Sequence, residues 1–145
     1  MLLQKFVRGT HASVSLVADG RQRAVALAVN GQTIRGSHSF SYRGGETPLR
    51  HRHAARAADL AVAACQAIPG LRGYVGVDVV LSEAGAVVIE INPRLTTAYV
   101  GLRQVVEQNV AALIVDACAG ALPRPLHPRR RVRFTAAGRV RVSRR

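Results

Sequence analysis

Two β-branched runs, Tyr74–Leu81 and Ala86–Ile91, are joined by the short stretch Ser82–Ala86. Val and Ile are stiff at χ1 and pack well on a pleated surface. A linker this short turns the second run back along the first. The pair therefore reads as an antiparallel hairpin, and few other folds accommodate it. If the hairpin is symmetric about Ala84, Leu81 faces Val87 and Asp78 faces Glu90. Gly85 then falls where a left-handed turn residue is useful.

Side chains alternate across a strand. That register places Val77, Val79, Leu81, Val87, Ile89 and Ile91 on one face, the core. Gly76, Asp78, Val80, Val88, Glu90 and Asn92 share the other. Two carboxylates and an amide oxygen converge there, and the missing side chain of Gly76 leaves room beside Asn92. Opposed carboxylates repel unless a cation lies between them. Hard oxygen donors suit Mg²⁺, which shares its shell with phosphate oxygens. The same residues on an exposed polar face would simply be solvated, and the pattern serves both readings equally. A slip of one residue would destroy the arrangement. Pro93 ends the pairing. Arg94 follows, with planar donors suited to a phosphate or carboxylate, or to a surface salt bridge. Thr96 and Thr97 add hydroxyls.

The rest of the chain supplies further strands and two helices. Leu2–Val7 reads as a short strand. Ala12–Ala18 and Arg23–Val29 alternate with period two about the turn Asp19-Gly20, which predicts a second hairpin. Residues 35–49, broken by Gly36, Gly44, Gly45 and Pro48, read as loop. Pro48–Ile68 is Ala- and Arg-rich and stops at Pro69-Gly70, so it reads as a helix with Leu60, Ala61, Ala64, Cys65 and Ile68 inward. Leu102–Ala119 reads as a second helix capped by Gly120.

At 145 residues and 48% hydrophobic composition the chain is long enough for one domain with its own core. Aromatics are only 4% and Trp is absent, so Val, Ala, Leu and Ile must build that core. The net charge is +13, and residues 123–145 hold nine Arg and no acid. This divides the chain into a body, 1–122, and a basic tail, 123–145, with terminal strands near Val132–Phe134 and Val140–Val142. Such a tail binds nucleic acid or an acidic surface, or is merely solvated. The absence of interleaved aromatics and of a nucleic-acid motif favours solvation. Cys65 and Cys118 form no C-x-x-C pair, which argues against zinc and redox motifs and fits a reducing compartment. No basic leader and no run of 18 apolar residues occur, so the expectation is a cytoplasmic protein with no membrane partner.

The string E-I-N-P-R (90–94), Asp78 upstream of it, and L-Q-K-F-V-R-G (3–9) resemble the ATP-grasp family of carboxylate–amine ligases. The extended string E-I-N-P-R-L-T-T-A-Y-V-G-L-R is most similar to its tyramine–glutamate ligase-like subgroup. The resemblance implies an α+β fold: an antiparallel sheet with two packed helices, the C-terminal subdomain of an ATP-grasp enzyme. It implies ATP and Mg²⁺ as cofactors, with Asp78, Glu90 and Asn92 holding the metal. Gln4, Lys5, Phe6 and Val7 match the hinge that reads adenine, and Val80 would cover the ring. His11 stands where many members carry a ribose-binding Glu. Arg94 would stabilise an acyl-phosphate intermediate or bind the acceptor carboxylate.

The implied chemistry is phosphorylation of a small carboxylate by ATP, then attack by an amine. Met1 begins almost at the hinge, so the expectation is a chain lacking the N-terminal substrate domain and the lid, with its lysine and glycine-rich loop. Such a chain would be weak or inactive alone, or would work with a separately encoded N-terminal half. The alternatives are an inactive interaction or regulatory domain, or a nucleic-acid-binding module acting through residues 123–145.

Overall fold

A computed structural model describes residues 5–36 and 39–142. The chain runs β1 (Thr10–Asp19), β2 (Ala24–Arg35), β3 (Ser41–Thr47), α1 (Ala54–Gln66), β4 (Arg72–Ser82), β5 (Gly85–Asn92), α2 (Ala98–Val105), α3 (Val110–Cys118), β6 (Val132–Thr135) and β7 (Val140–Val142). All paired neighbours are antiparallel, in the order β5-β4-β1-β2-β3-β6-β7. The expected α+β antiparallel sheet forms.

An isolated hairpin is marginal in water. Here β1 stabilises both hairpins by pairing along its length with β2 on one side and β4 on the other. Its residues Ala12, Val14 and Leu16 are fully buried and meet Val75, Val77, Val79 and Leu81 of β4 under α1. Helix α1 contributes Ala57, Ala61 and Cys65 at i, i+4, i+8, a narrow stripe of small residues that lets it lie close to the sheet. Burial pushes the Cys65 thiol up to about 11, so it behaves as a small apolar residue. Helices α2 and α3 cover the opposite face at its other end, packing Leu102, Val105, Val110 and Ala117 against Val17, Leu27 and Val132. The polar end of that face stays open beside them.

The turn at Asp19-Gly20 forms as expected. The Asp19 carboxylate accepts from Arg21 N at 2.8 Å, Arg23 N at 3.2 Å and Arg23 Nε at 2.7 Å. Burial pushes its pKa up, but these hydrogen bonds and the Arg23 charge outweigh that and hold it below the ordinary value.

Four expectations need correction. Residues 41–47, read as loop, form β3 inside the sheet, between β2 and β6. Its glycines permit this: Gly44 has φ +129, and a Cβ on Gly45 would come within 3.1 Å of the Phe134 ring. The helix expected over 102–119 is two helices, because Asn109 leaves helical geometry and caps α3, its Oδ1 accepting from Ala111 N at 3.0 Å and Ala112 N at 3.3 Å. Such a cap is worth about 1 kcal/mol, and with it three helices pack on the sheet instead of two. The helix expected over 48–68 occupies only Ala54–Gln66, leaving Ile68 40% exposed beyond its end. The strand expected at Leu2–Val7 lies partly outside the described residues, and Lys5–Val7 form no strand.

The strands expected near 132–134 and 140–142 are β6 and β7. Val132 is fully buried, and Arg131 and Arg133 pair with Glu46 of β3 at 2.5 and 3.7 Å. Among the described residues no helix is long and apolar enough to cross a membrane.

Candidate functional site

Below a bulge in the β4–β5 ladder, the pairs are Asp78 with Glu90, Val77 with Ile91 and Gly76 with Asn92. Above it the register moves by one: Val79 pairs with Val88, Val80 with Val87 and Leu81 with Ala86. Ile89 is the extra residue. The symmetric register about Ala84 therefore holds at the acidic pair and fails near the turn, where two residues, Glu83 and Ala84, join Ser82 to Gly85. The bulge corrects the face assignment of three residues. Val88 turns to the core and packs against it, while Val87 and Ile89 stand 38% and 42% exposed. A bulge re-aims side chains without breaking the sheet; here it keeps both acids on one face while freeing two apolar side chains.

The polar face is built from four strands. From β1 come Ser13 and Ser15, from β2 Asn30 and Gln32, from β4 Gly76 and Asp78, and from β5 Glu90 and Asn92. Ser13 pairs with Asp78 on one side and Asn30 on the other. A recess of about 280 Å³ opens here, lined among others by Tyr42, Gln32, Asp78, Asn92, Arg94 and Thr96. Asp78 Oδ1 accepts from Gln32 Nε2 at 2.8 Å, and Oδ2 from Asn92 Nδ2 at 3.4 Å. Arg94 is exposed and donates from Nη2 to Asn92 Oδ1 at 3.1 Å. Burial raises the Asp78 pKa; the Gln32 hydrogen bond opposes this, the Glu90 charge adds to it, and Arg94 again opposes it. Burial and the Asp78 charge also push the Tyr42 hydroxyl up to about 12, so it stays protonated across the physiological range.

Gly76 has a different use from the one expected. The space above it is filled by the Thr96 methyl group, into which a Cβ on Gly76 would run. Thr96 Oγ1 in turn lies 3.2 Å from the Tyr74 hydroxyl, which donates to Ser15 Oγ at 2.7 Å. Thr96 and Thr97 line the recess as expected, and Gln32 and Tyr42 are the site residues that the sequence reading did not place there. The period-two alternation of β2 does put Gln32 on this face, but its neighbour two strands away is visible only in the folded sheet.

The remaining candidates lie around the bulge. Lys5, Phe6, Val7 and Arg8 line a groove of about 620 Å³ with Ser82, Val87, Val88 and Ile89. Phe6 is 67% exposed beside it. Gln4 lies outside the described residues. Val80 is 4% exposed and is the register partner of His11 on one side and of the groove residue Val87 on the other.

The donor set suits a hard cation. Neither Asp78 nor Glu90 makes a salt bridge with a described base, so Asp78 lines the polar recess with the exposed Glu90 as its register partner and no full counter-charge on either. Among the described residues no cluster of three His, Cys, Asp or Glu forms; the third donor here is an amide.

A family model described as ATP-grasp domain matches residues 1–98. The chain belongs to the ATP-grasp family. It is 39% identical over 102 residues to the tyramine–L-glutamate ligase of Methanocaldococcus jannaschii, covering 70% of this chain and 32% of that protein. This ATP-grasp chain thus spans about a third of the length of that curated relative. Among solved structures, a protein described as an ATP-grasp superfamily member from Archaeoglobus fulgidus superposes with TM-score 0.70 at 35% identity, over 91% of this chain and 40% of that one. A biotin carboxylase from Campylobacter jejuni, solved as a β-γ-ATP complex, shares the ATP-grasp fold with TM-score 0.73 at 17% identity, over 90% of this chain and 30% of its own.

Proposed function

We propose that this chain is the nucleotide- and cation-holding part of an ATP-grasp carboxylate–amine ligase. The observation that carries the reading is the register pairing of Asp78 with Glu90, with Asn92 beside Asp78 and, among the described residues, no base paired to either acid. Asp78, Glu90 and Asn92 would hold Mg²⁺. Bound there, the ion would neutralise charge on the nucleotide phosphates. The exposed Arg94 guanidinium, tethered to Asn92, would clamp a phosphoryl or carboxylate oxygen at the mouth of the recess. The groove between Lys5–Val7 and the bulged residues Val87 and Ile89 would take the adenine, with Gln4 extending the hinge. Val80, the register partner of Val87, would cover the ring.

The reaction class is transfer of the γ-phosphoryl group of ATP to a small carboxylate, releasing ADP, followed by amine attack on the acyl phosphate with loss of phosphate. The relative's name pairs tyramine with glutamate; a small carboxylate and an amine are the substrate classes for this site. The other phosphate-binding elements would come from an N-terminal half, on the same polypeptide or separately encoded. Such an ATP-dependent ligase would work in the cytoplasm, and two free cysteines accord with a reducing compartment.

A nucleic-acid-binding role for residues 123–145 has less support, since Arg129, Arg131 and Arg133 are paired with Glu107 or Glu46. The test is calorimetry of ATP binding with and without Mg²⁺, with Glu90→Gln alongside. Binding that Mg²⁺ tightens, with the gain lost in the variant, supports the reading; binding indifferent to both overturns it.

A further inference from the structure

We propose that Gln32 is a positioning residue for the cation site, holding the Asp78 carboxylate in one orientation from two strands away. The inference rests on the reading of Asp78 as a cation ligand.

The geometry is specific. Gln32 belongs to β2 and Asp78 to β4, with β1 between them. A side chain crosses an intervening strand only where that strand carries small residues. Here the residue of β1 paired with Asp78 is Ser13. On its other flank Gln32 pairs with Gly45 of β3, which has no side chain to compete for its amide. The result is a 2.8 Å hydrogen bond from Gln32 Nε2 to Asp78 Oδ1. Oδ2 is left beside Asn92, whose Nδ2 lies at a long 3.4 Å.

A carboxylate on a short Asp side chain rotates about χ2 in a broad well. Opposite Glu90, an untethered Asp78 would turn away from its like-charged partner. The Gln32 amide removes that freedom: one oxygen is engaged, and the other is committed to the side where Asn92 stands. Partners that orient a ligating group in this way typically contribute 10- to 100-fold in metal affinity. Gln is suited to the task because it donates without adding charge; Glu of the same shape has no donor and repels Asp78.

The experiment titrates Mg²⁺ against the full chain at saturating ATP, and separately measures ATP binding in chelator. Gln32→Met keeps the volume and loses the donor. Gln32→Glu keeps the shape and reverses the interaction. The expected result is a rise of about ten-fold in the Mg²⁺ midpoint for Gln32→Met, a larger rise for Gln32→Glu, and unchanged metal-free binding in both. Thermal melts check that the variants fold; a packing role alone would lower the melting temperature and weaken both kinds of binding together. Equal Mg²⁺ midpoints in Gln32→Met and the parent overturn the assignment of Gln32 while leaving the cation site standing. A parent chain whose ATP binding ignores Mg²⁺ overturns the cation site and this role with it.

Discussion

Asp78 and Glu90 are register partners on neighbouring strands, held opposite each other just below the bulge at Ile89. Like charges so placed oppose folding, by roughly 0.2–1 kcal/mol. A fold keeps such a pair only at a cost in stability, and the proposed cation site is what that cost would serve.

Asp78→Asn separates the two effects. The amide keeps its partnership with Gln32, gives up only the long 3.4 Å hydrogen bond from Asn92 Nδ2 and removes the repulsion, so the apo protein should gain stability, by up to roughly 1 kcal/mol at neutral pH. Mg²⁺-dependent ATP binding should disappear in the same variant. Denaturant melts and calorimetry on one preparation read both, and a variant that loses stability without losing binding contradicts the proposed site.

Gly76→Ala tests the packing above the site. Replacing Gly in a strand by Ala gains roughly 0.5–1 kcal/mol of backbone entropy. The new methyl group overlaps that of Thr96, and overpacking typically costs roughly 1–3 kcal/mol, so a net loss of about 1 kcal/mol is expected. Thr96 must turn, losing its 3.2 Å contact with the Tyr74 hydroxyl. Adding Thr96→Ala relieves the overlap, so the double variant should be more stable than Gly76→Ala alone.

The Asp19 turn carries a pH dependence of definite sign. Its carboxylate is held below the ordinary value of 3.8 by donors from Arg21 and Arg23. A depressed folded-state pKa contributes stability that is present above 3.8 and lost as pH falls through the folded value. Asp19→Asn should therefore lower the melting temperature at pH values around 5–7, and the gap to the parent should close in stronger acid. A gap that is constant with pH would show that the turn is held by shape alone.

Much of the sheet could be read from the chain because β1 and β2 alternate with period two and β4 and β5 carry β-branched residues. β3 could not: Gly44 and Gly45 look like breakers, yet in the folded sheet they let β6 and the Phe134 ring approach. The break at Asn109 left a legible sign, a capping residue inside an apolar pattern, that periodicity alone overrode. The bulge at Ile89 left none, because no glycine marks it, and it turned Val87 and Ile89 outward against expectation. The acidic pair was legible because it lies below the bulge, where the simple register holds. The tie from Gln32 to Asp78 was not, since it joins strands separated by a third.

The most direct measurement is a crystal structure of the chain soaked with Mn²⁺ and a non-hydrolysable ATP analogue, with anomalous scattering locating the metal. The expected result is a peak ligated by oxygens of Asp78, Glu90 and Asn92 and by the nucleotide phosphates. A nucleotide bound with its metal remote from these three side chains would contradict the cation site.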